Sequence, residues 1–258
     1  MGVEEGVERV LIPVGVSNRH AHLCREHLDQ LFGKGFELTK ERDLYQCGQF
    51  AAEQTVTISG PKGAIERVRI LGPLRKRTQV EVSRTDAYHL GLDCPVGDSG
   101  PLPPGQAAVL IGPQGSVTLH QDVVVARRHI HVNPKIAAAL GVRHGDTVFV
   151  APVEPKGADP AQLRTVIFGN VLIRVDETFR LQMHIDVDEA NAAGLKTGDM
   201  VYIVKSSLRY NFNLDGRRVI TENDVRQAIL RGQKIRLEPG MIVTPAARDL
   251  GKQHEVFV

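Results

Sequence analysis

Ten consecutive residues of this chain recur, without a gap, 109 positions downstream. Val14-Gly15-Val16-Ser17-Asn18-Arg19-His20-Ala21-His22-Leu23 lies over Val123-Val124-Val125-Ala126-Arg127-Arg128-His129-Ile130-His131-Val132, with five of the ten positions identical. The identical positions include both histidines of each His-x-His pair and the arginine before it. A second match follows at an offset of 103: Val80-Glu81-Val82-Ser83-Arg84-Thr85-Asp86-Ala87 over Met183-His184-Ile185-Asp186-Val187-Asp188-Glu189-Ala190, and Gly91-Leu92 over Gly194-Leu195. Such self-similarity predicts two copies of one small unit, related by a pseudo-two-fold axis. In that arrangement Glu81 and His184 occupy equivalent positions.

The unit is β-rich. The 25 glycines and 14 prolines punctuate short β-branched runs, as expected of short strands joined by tight turns. Strands are predicted at Leu11–Val16, Thr55–Ser59, Val68–Leu71, Gln79–Ser83, Val123–Ala126, Thr147–Val150, Val171–Val175 and Met200–Val204. Gly60-Pro61-Lys62-Gly63 and Gly112-Pro113-Gln114-Gly115 read as β-turns. Helices are few: Arg25–Phe32 puts Leu28, Leu31 and Phe32 on one face as a lid, and Asn133-Pro134 caps a helix ending at Leu140. The repeats divide the chain into domains at 1–105 and 106–205, with 206–258 as a C-terminal helical extension. In that extension Ser206–Arg218 is polar, Asn213-Leu214-Asp215-Gly216 reads as a loop, and Thr221-Glu222-Asn223-Asp224 reads as a capping box. Val225, Ile229 and Leu230 form the apolar face of the helix that follows. Thr244-Pro245 opens a second helix.

Residues i and i+2 of a strand share a face, so each His-x-His pair presents two imidazoles side by side. Two imidazoles can grip one metal ion, and the downstream match supplies a third ligand, Glu81 in the first half and His184 in the second. The expected sites are His20/His22/Glu81 and His129/His131/His184. Nitrogen-rich donors with one carboxylate suit zinc, although imidazole also suits iron, cobalt or nickel. Cys24 would share the face of His22 if the strand continued. The helical pattern from Arg25 breaks that alternation, so Cys24 reads as a cap or core residue. His27, His89, His120, His144 and His254 lack the repeated flanks and read as ordinary histidines.

Composition removes several classes of function. Nowhere do 18 apolar residues run together, so no membrane span is expected. Lys plus Arg number 32 against 30 Asp plus Glu, too balanced for a phosphate-tracking nucleic-acid binder, and the four Tyr with no Trp offer few stacking platforms. The three cysteines Cys24, Cys47 and Cys94 form no C-x-x-C pair, which fits free thiols in a reducing compartment. Met1–Ile12 carries Glu4, Glu5 and Glu8 and no signal-like apolar stretch, so a cytoplasmic protein is expected.

Several segments together resemble a known family. Pro13-Val14-Gly15-Val16-Ser17-Asn18-Arg19-His20-Ala21-His22, Gly48-Gln49-Phe50-Ala51-Ala52-Glu53-Gln54-Thr55-Val56, Gly60-Pro61-Lys62-Gly63, Thr78-Gln79-Val80-Glu81-Val82-Ser83 and Met183–Asn191 are similar to the phosphate propanoyltransferases. This is the zinc-dependent phosphotransacylase type of propanediol-utilisation bacterial microcompartments. The resemblance implies a mainly β fold of two pseudo-symmetric small β-barrel domains with short capping helices and an active site between them. It implies two zinc ions per chain on His20, His22, Glu81, His129, His131 and His184, the set the repeat selects. It also implies that Arg75, six residues before Glu81, holds phosphate. Arg77 has the same strand parity, and six residues of straight strand would set Arg75 about 20 Å from Glu81, so a bend must return it. The implied substrates and products are acyl-CoA (propanoyl-CoA or acetyl-CoA), phosphate, acyl phosphate and CoA, in a homo-oligomer in or beside a microcompartment.

Three features depart from the family pattern. Cys24 stands where Ser is expected, and Pro152–Leu163 reads as a surface insertion. Only nine residues precede Val10, which argues against an N-terminal encapsulation helix and makes 206–258 a candidate interaction module for microcompartment shell or lumen enzymes. Two other functions share the ligand spacing: a dinuclear zinc hydrolase that activates water, and a non-catalytic zinc-stabilised module. No G-x-S-x-G elbow, P-loop or G-x-G-x-x-G is present, consistent with direct transfer at metal.

Overall fold

A computed structural model describes residues 10–98, 100–155, 157–204, 213–214, 217–230, 235, 237 and 241–257. Residues 1–9, on which the N-terminal expectations rest, lie outside it, as do residues 205–212. The chain divides into two compact units, Met1–Val204 and Lys205–Val258.

The first unit begins β1 (Ile12–Ser17), β2 (His20–His22), α1 (Arg25–Phe32), β3 (Lys40–Asp43), β4 (Phe50–Ser59), β5 (Ala64–Gly72), β6 (Gln79–Val82) and α2 (Arg84–Leu90). Next come β7 (Val96–Gly97), β8 (Ala108–Ile111), β9 (Ser116–Leu119), β10 (Val123–Ala126), β11 (His129–Val132) and α3 (Pro134–Leu140). The unit ends with β12 (Thr147–Pro152), β13 (Phe168–Val175), β14 (Gln182–Asp186), α4 (Val187–Ala193) and β15 (Met200–Val204). All eight expected strands are present, as are both expected helices of this unit, and α3 starts at its expected cap. Asn133 accepts a hydrogen bond from the Ile136 N–H at 2.9 Å. Leu28 and Leu31 of α1 are fully buried against the sheet, a gain of about 1.5–3 kcal/mol each. The excursion after Pro152 is mostly exposed and, among the described residues, holds one 3-10 turn, Pro160–Gln162.

The first unit is mainly β and built from two sheets. Six strands close a barrel in the order β1-β14-β11-β13-β12-β15 around Ile12, Val14, Ile130, Phe168, Ile173 and Met183. Nine form the other sheet, ordered β7-β10-β6-β2-β5-β4-β8-β9 with β3 beside β4, over a core that includes Leu23, Leu28, Ile58, Ile70 and Leu110.

The sheets partition the chain differently from the 1–105 and 106–205 division. Strand β1, from the first repeat, belongs to the barrel of the second, where Gly15 pairs in parallel with His184. Strand β10, from the second repeat, belongs to the sheet of the first, where Val124 pairs in parallel with Glu81. The repeats exchange their leading strands. Ile12 and Val14 bury completely in the barrel core, and Val123 and Val125 enter the other core, so each sheet depends on a strand from the other repeat. The linkers 18–19 and 127–128 therefore cross from sheet to sheet, and each His-x-His pair begins immediately after its crossing.

The second unit holds β16 (Asn213–Leu214), β17 (Arg217–Ile220), α5 (Glu222–Leu230), β18 (Met241–Val243) and α6 (Pro245–Gln253). Asn213 and Leu214 are not loop but pair with Arg218 and Arg217, because the ladder satisfies their backbone groups. Asp224 accepts from the Thr221 N–H at 2.8 Å and from the Thr221 hydroxyl at 2.7 Å, one half of the expected capping box, and Thr244 accepts from the Ala247 N–H at 3.4 Å as the expected N-cap. Ile220, Val225, Ala247 and Val256 make a separate small core, with Ile229 packed on it. The side chain of Leu230 lies outside the described residues.

Candidate metal centre

Strand pairing assembles two triads. In antiparallel β2 and β6, His20 lies opposite Glu81; in antiparallel β11 and β14, His129 lies opposite His184. Period-two alternation puts His22 and His131 on the same faces. Within His20/His22/Glu81, and within His129/His131/His184, the ligand atoms all lie within 4.8 Å of one another. Both sets coincide with those expected from the repeat.

Hydrogen bonding shows which ring nitrogens are free. His20 Nδ1 donates to the Asn18 carbonyl and His129 Nδ1 donates to the Arg127 carbonyl, each at 2.8 Å. A carbonyl can only accept, so these rings carry their proton on Nδ1 and turn a lone pair on Nε2 inward. His22 Nδ1, His131 Nδ1 and His184 Nε2 are buried without a hydrogen-bond partner among the described residues. Leaving a buried polar atom unpaired costs about 1–3 kcal/mol. A cation in each triad would satisfy these atoms, and three ligands per site leave a coordination position for substrate. The donor sets fit zinc.

The surroundings of His22, His129, His131 and His184 favour the neutral ring, the form that ligates metal. Burial, then His20 and Arg75, lowers His22 to about 2. Burial and Arg174 lower His129 to about 2. Burial, then His184 and Arg174, lowers His131 to about 3, and burial with Arg174 lowers His184 to about 4.

The arginine repeated before each His pair has a structural task. Arg19 Nε donates to Asp86 Oδ1 at 3.0 Å, and Arg128 Nε lies 2.9 Å from Glu189 Oε1. Asp86 and Glu189 are the third helical residues of α2 and α4, in capping boxes with Ser83 and Asp186. Ser83 and Asp186 each sit two residues beyond the third ligand, Glu81 or His184. The ion pair therefore ties the start of one ligand strand to the end of the other, in both repeats.

A cleft of about 860 Å³ opens between the two triads. Its lining includes all six triad residues, together with Arg75, Gln79, Asp98 and Arg174. The expected bend exists: the chain turns between β5 and β6, where the Arg75 N–H bonds the Leu23 carbonyl at 2.9 Å and its guanidinium donates to Gln79 Oε1 at 2.9 Å. Arg77 is instead held by Asp122 at 2.6 Å, with its side chain 64% exposed. Geometry thus separates the two arginines that parity could not. Cys24 is the N-cap residue of α1, outside both triads. His27 bonds Thr78 at 2.8 Å and His144 accepts from the Val175 N–H at 3.1 Å, both away from the cleft lining.

Arg174 is the cleft residue that sequence reasoning missed. It lies on β13 directly beside His131 in the ladder. Its equivalent in the first repeat is Leu71, so self-similarity pointed away from it. Extending the 103-residue offset into β5 and β13 would have exposed this leucine-to-arginine difference.

Comparison with known proteins gives one consistent result. A family profile described as phosphate propanoyltransferase matches residues 13–196. A phosphate propanoyltransferase of Thermotoga maritima is 56% identical over 194 residues, covering 75% of this chain and 89% of that protein. The corresponding proteins of Rhodopseudomonas palustris and Lachnoclostridium phytofermentans are 50% and 48% identical over 202 residues, covering 78% of this chain and 86% and 91% of theirs. The match includes both triads and Arg75 and stops short of the second unit.

Proposed function

The chain belongs to the phosphate propanoyltransferases, a family of acyltransferases, and on that premise we propose that its cleft interconverts short-chain acyl-CoA plus phosphate with acyl phosphate plus CoA, with one zinc ion in each triad. The observation that carries this reading is that both triads face one cleft into which Arg75 also projects. In the forward direction a phosphate oxygen bonds to the thioester carbonyl carbon, the carbon–sulfur bond breaks, and the sulfur leaves as the thiolate of CoA. When bound, zinc supplies a Lewis acid for the carbonyl and a soft partner for the thiolate.

This chain's own residues do the rest. His20, His22 and Glu81 would hold one ion, and His129, His131 and His184 the other. The Asn18 and Arg127 carbonyls keep His20 and His129 in the ligating tautomer. Arg75, whose only hydrogen-bond partner at the guanidinium among the described residues is the neutral Gln79 amide, orients phosphate and offsets its charge. No enzyme nucleophile is needed. Propanoyl-CoA and acetyl-CoA are the proposed substrates. Residues 206–258 lie beyond the family match and carry their own small core, which supports reading them as an interaction module, for a microcompartment lumen or shell, outside the chemistry.

Incubating the zinc-loaded protein with propanoyl-CoA, with and without phosphate, tests this reading. Thiol release should require phosphate and be matched by acyl phosphate. Thiol release of equal rate without phosphate would instead identify a thioester hydrolase, and no release under either condition would reject both.

A further inference from the structure

Six arginines line the cleft: Arg19, Arg42, Arg69, Arg75, Arg127 and Arg174. Some are committed elsewhere. Arg19 is held by Asp86, and Arg69 donates to the Ala52 and Glu53 carbonyls and pairs with Glu41. Arg75 and Arg174 are different, because one short bridge joins them. Arg75 Nη1 donates to Gln79 Oε1 at 2.9 Å, and Gln79 Nε2 donates to the Asp98 carbonyl at 2.7 Å. The Asp98 carboxylate accepts from Arg174 Nη2.

We propose that Arg174 is the second arm of an anion clamp: it and Arg75 close on the phosphate substrate from opposite sides, and Asp98 is an internal stand-in that phosphate displaces from Arg174. This rests on the transacylase reading for the identity of the anion. It goes beyond that reading by assigning a second phosphate-binding residue and an exchangeable carboxylate.

Charge and exposure both support the clamp. The two guanidiniums are joined through Gln79 and the Asp98 backbone, and of the two only Arg174 contacts the Asp98 carboxylate. Burial, opposed by the nearby Glu81 carboxylate and joined by repulsion from Arg174, lowers the Arg75 guanidinium from its usual value. A phosphate dianion offsets the repulsion between the two arginines, and each fork can give it paired hydrogen bonds. Asp98 is 67% exposed while Arg174 is 25% exposed, so the carboxylate sits at the rim and the guanidinium further in. An ion pair with one partner in solvent is weak and easily exchanged. The two arginines reach the cleft from different places in the two repeats. The first repeat sends Arg75 from the loop before β6 towards one triad, and the second sends Arg174 from β13 towards the other.

The test compares Arg174→Ala, Arg174→Lys and Asp98→Asn in the full-length, zinc-loaded protein. Phosphate and acyl-CoA are varied separately, and inorganic phosphate is titrated calorimetrically without acyl-CoA. Arg174→Ala should raise the phosphate KM about tenfold or more while moving the acyl-CoA KM less than about twofold. Arg174→Lys should fall between it and the parent, because the charge remains and the fork is lost. Asp98→Asn should lower the phosphate KM and Kd about twofold to fivefold, because the competing charge is removed. Opposite signs for the two positions are the signature of the clamp. If Arg174 merely pins the Asp98 segment, both variants weaken phosphate binding equally, and the proposal is overturned. Should Arg174→Ala not fold, Asp98→Asn still decides, since an unchanged or raised phosphate KM there rejects the displacement. Phosphate affinity that depends on Arg174 in a protein making no acyl phosphate would keep the clamp and reject the transacylase. Acyl phosphate formation indifferent to Arg174 would do the reverse.

Discussion

His184→Ala is expected to lower kcat by about three orders of magnitude, the equivalent of the several kcal/mol a Lewis-acidic ion contributes to charge stabilisation. The substitution removes the imidazole opposite His129 and leaves only His129 and His131 of that set. Because Met183 and Ile185 keep β14 in the barrel core, the loss should appear with folding intact. Circular dichroism and steady-state rates with propanoyl-CoA and phosphate check this together. Parent-like turnover would mean that the second triad takes no part in the chemistry.

Arg75→Ala should raise the phosphate KM about tenfold to a hundredfold and leave the acyl-CoA KM nearly unchanged. A hydrogen bond to a charged group contributes about 1.5–3 kcal/mol, and here it is lost on one substrate only. Arg77→Ala provides the contrast. Its guanidinium belongs to Asp122 at the surface, so its effect on phosphate should be small. Equal increases for both substrates in Arg75→Ala would show that Arg75 shapes the cleft instead of gripping phosphate.

Much of this site can be read from the sequence, because local rules and the internal repeat agree. Strand parity places His20 beside His22, and the offset makes Glu81 the counterpart of His184. The structure brings each set within ligating distance. Caps at Asn133, Thr221 and Thr244 are local chemistry, and the helices start where those residues place them. The exchange of β1 and β10 is not legible, because an alternating strand fits either sheet and only tertiary packing decides. Arg174 is hidden for the opposite reason. The repeat identifies what the halves share, whereas this residue is where they differ. Arg75 stands between these cases, since parity narrowed the choice to two arginines and the family resemblance picked one. The turn before β6 puts Arg75 in the cleft lining, whereas Arg77 pairs with Asp122.

The central claim is that each triad holds one metal ion. It is tested most directly by elemental analysis of the protein purified without chelator, alongside His20→Ala and His184→Ala. The parent chain should carry about two zinc equivalents, and each variant about one, because each substitution disables one triad and spares the other. Two full equivalents retained in both variants would contradict the assignment of the metal sites.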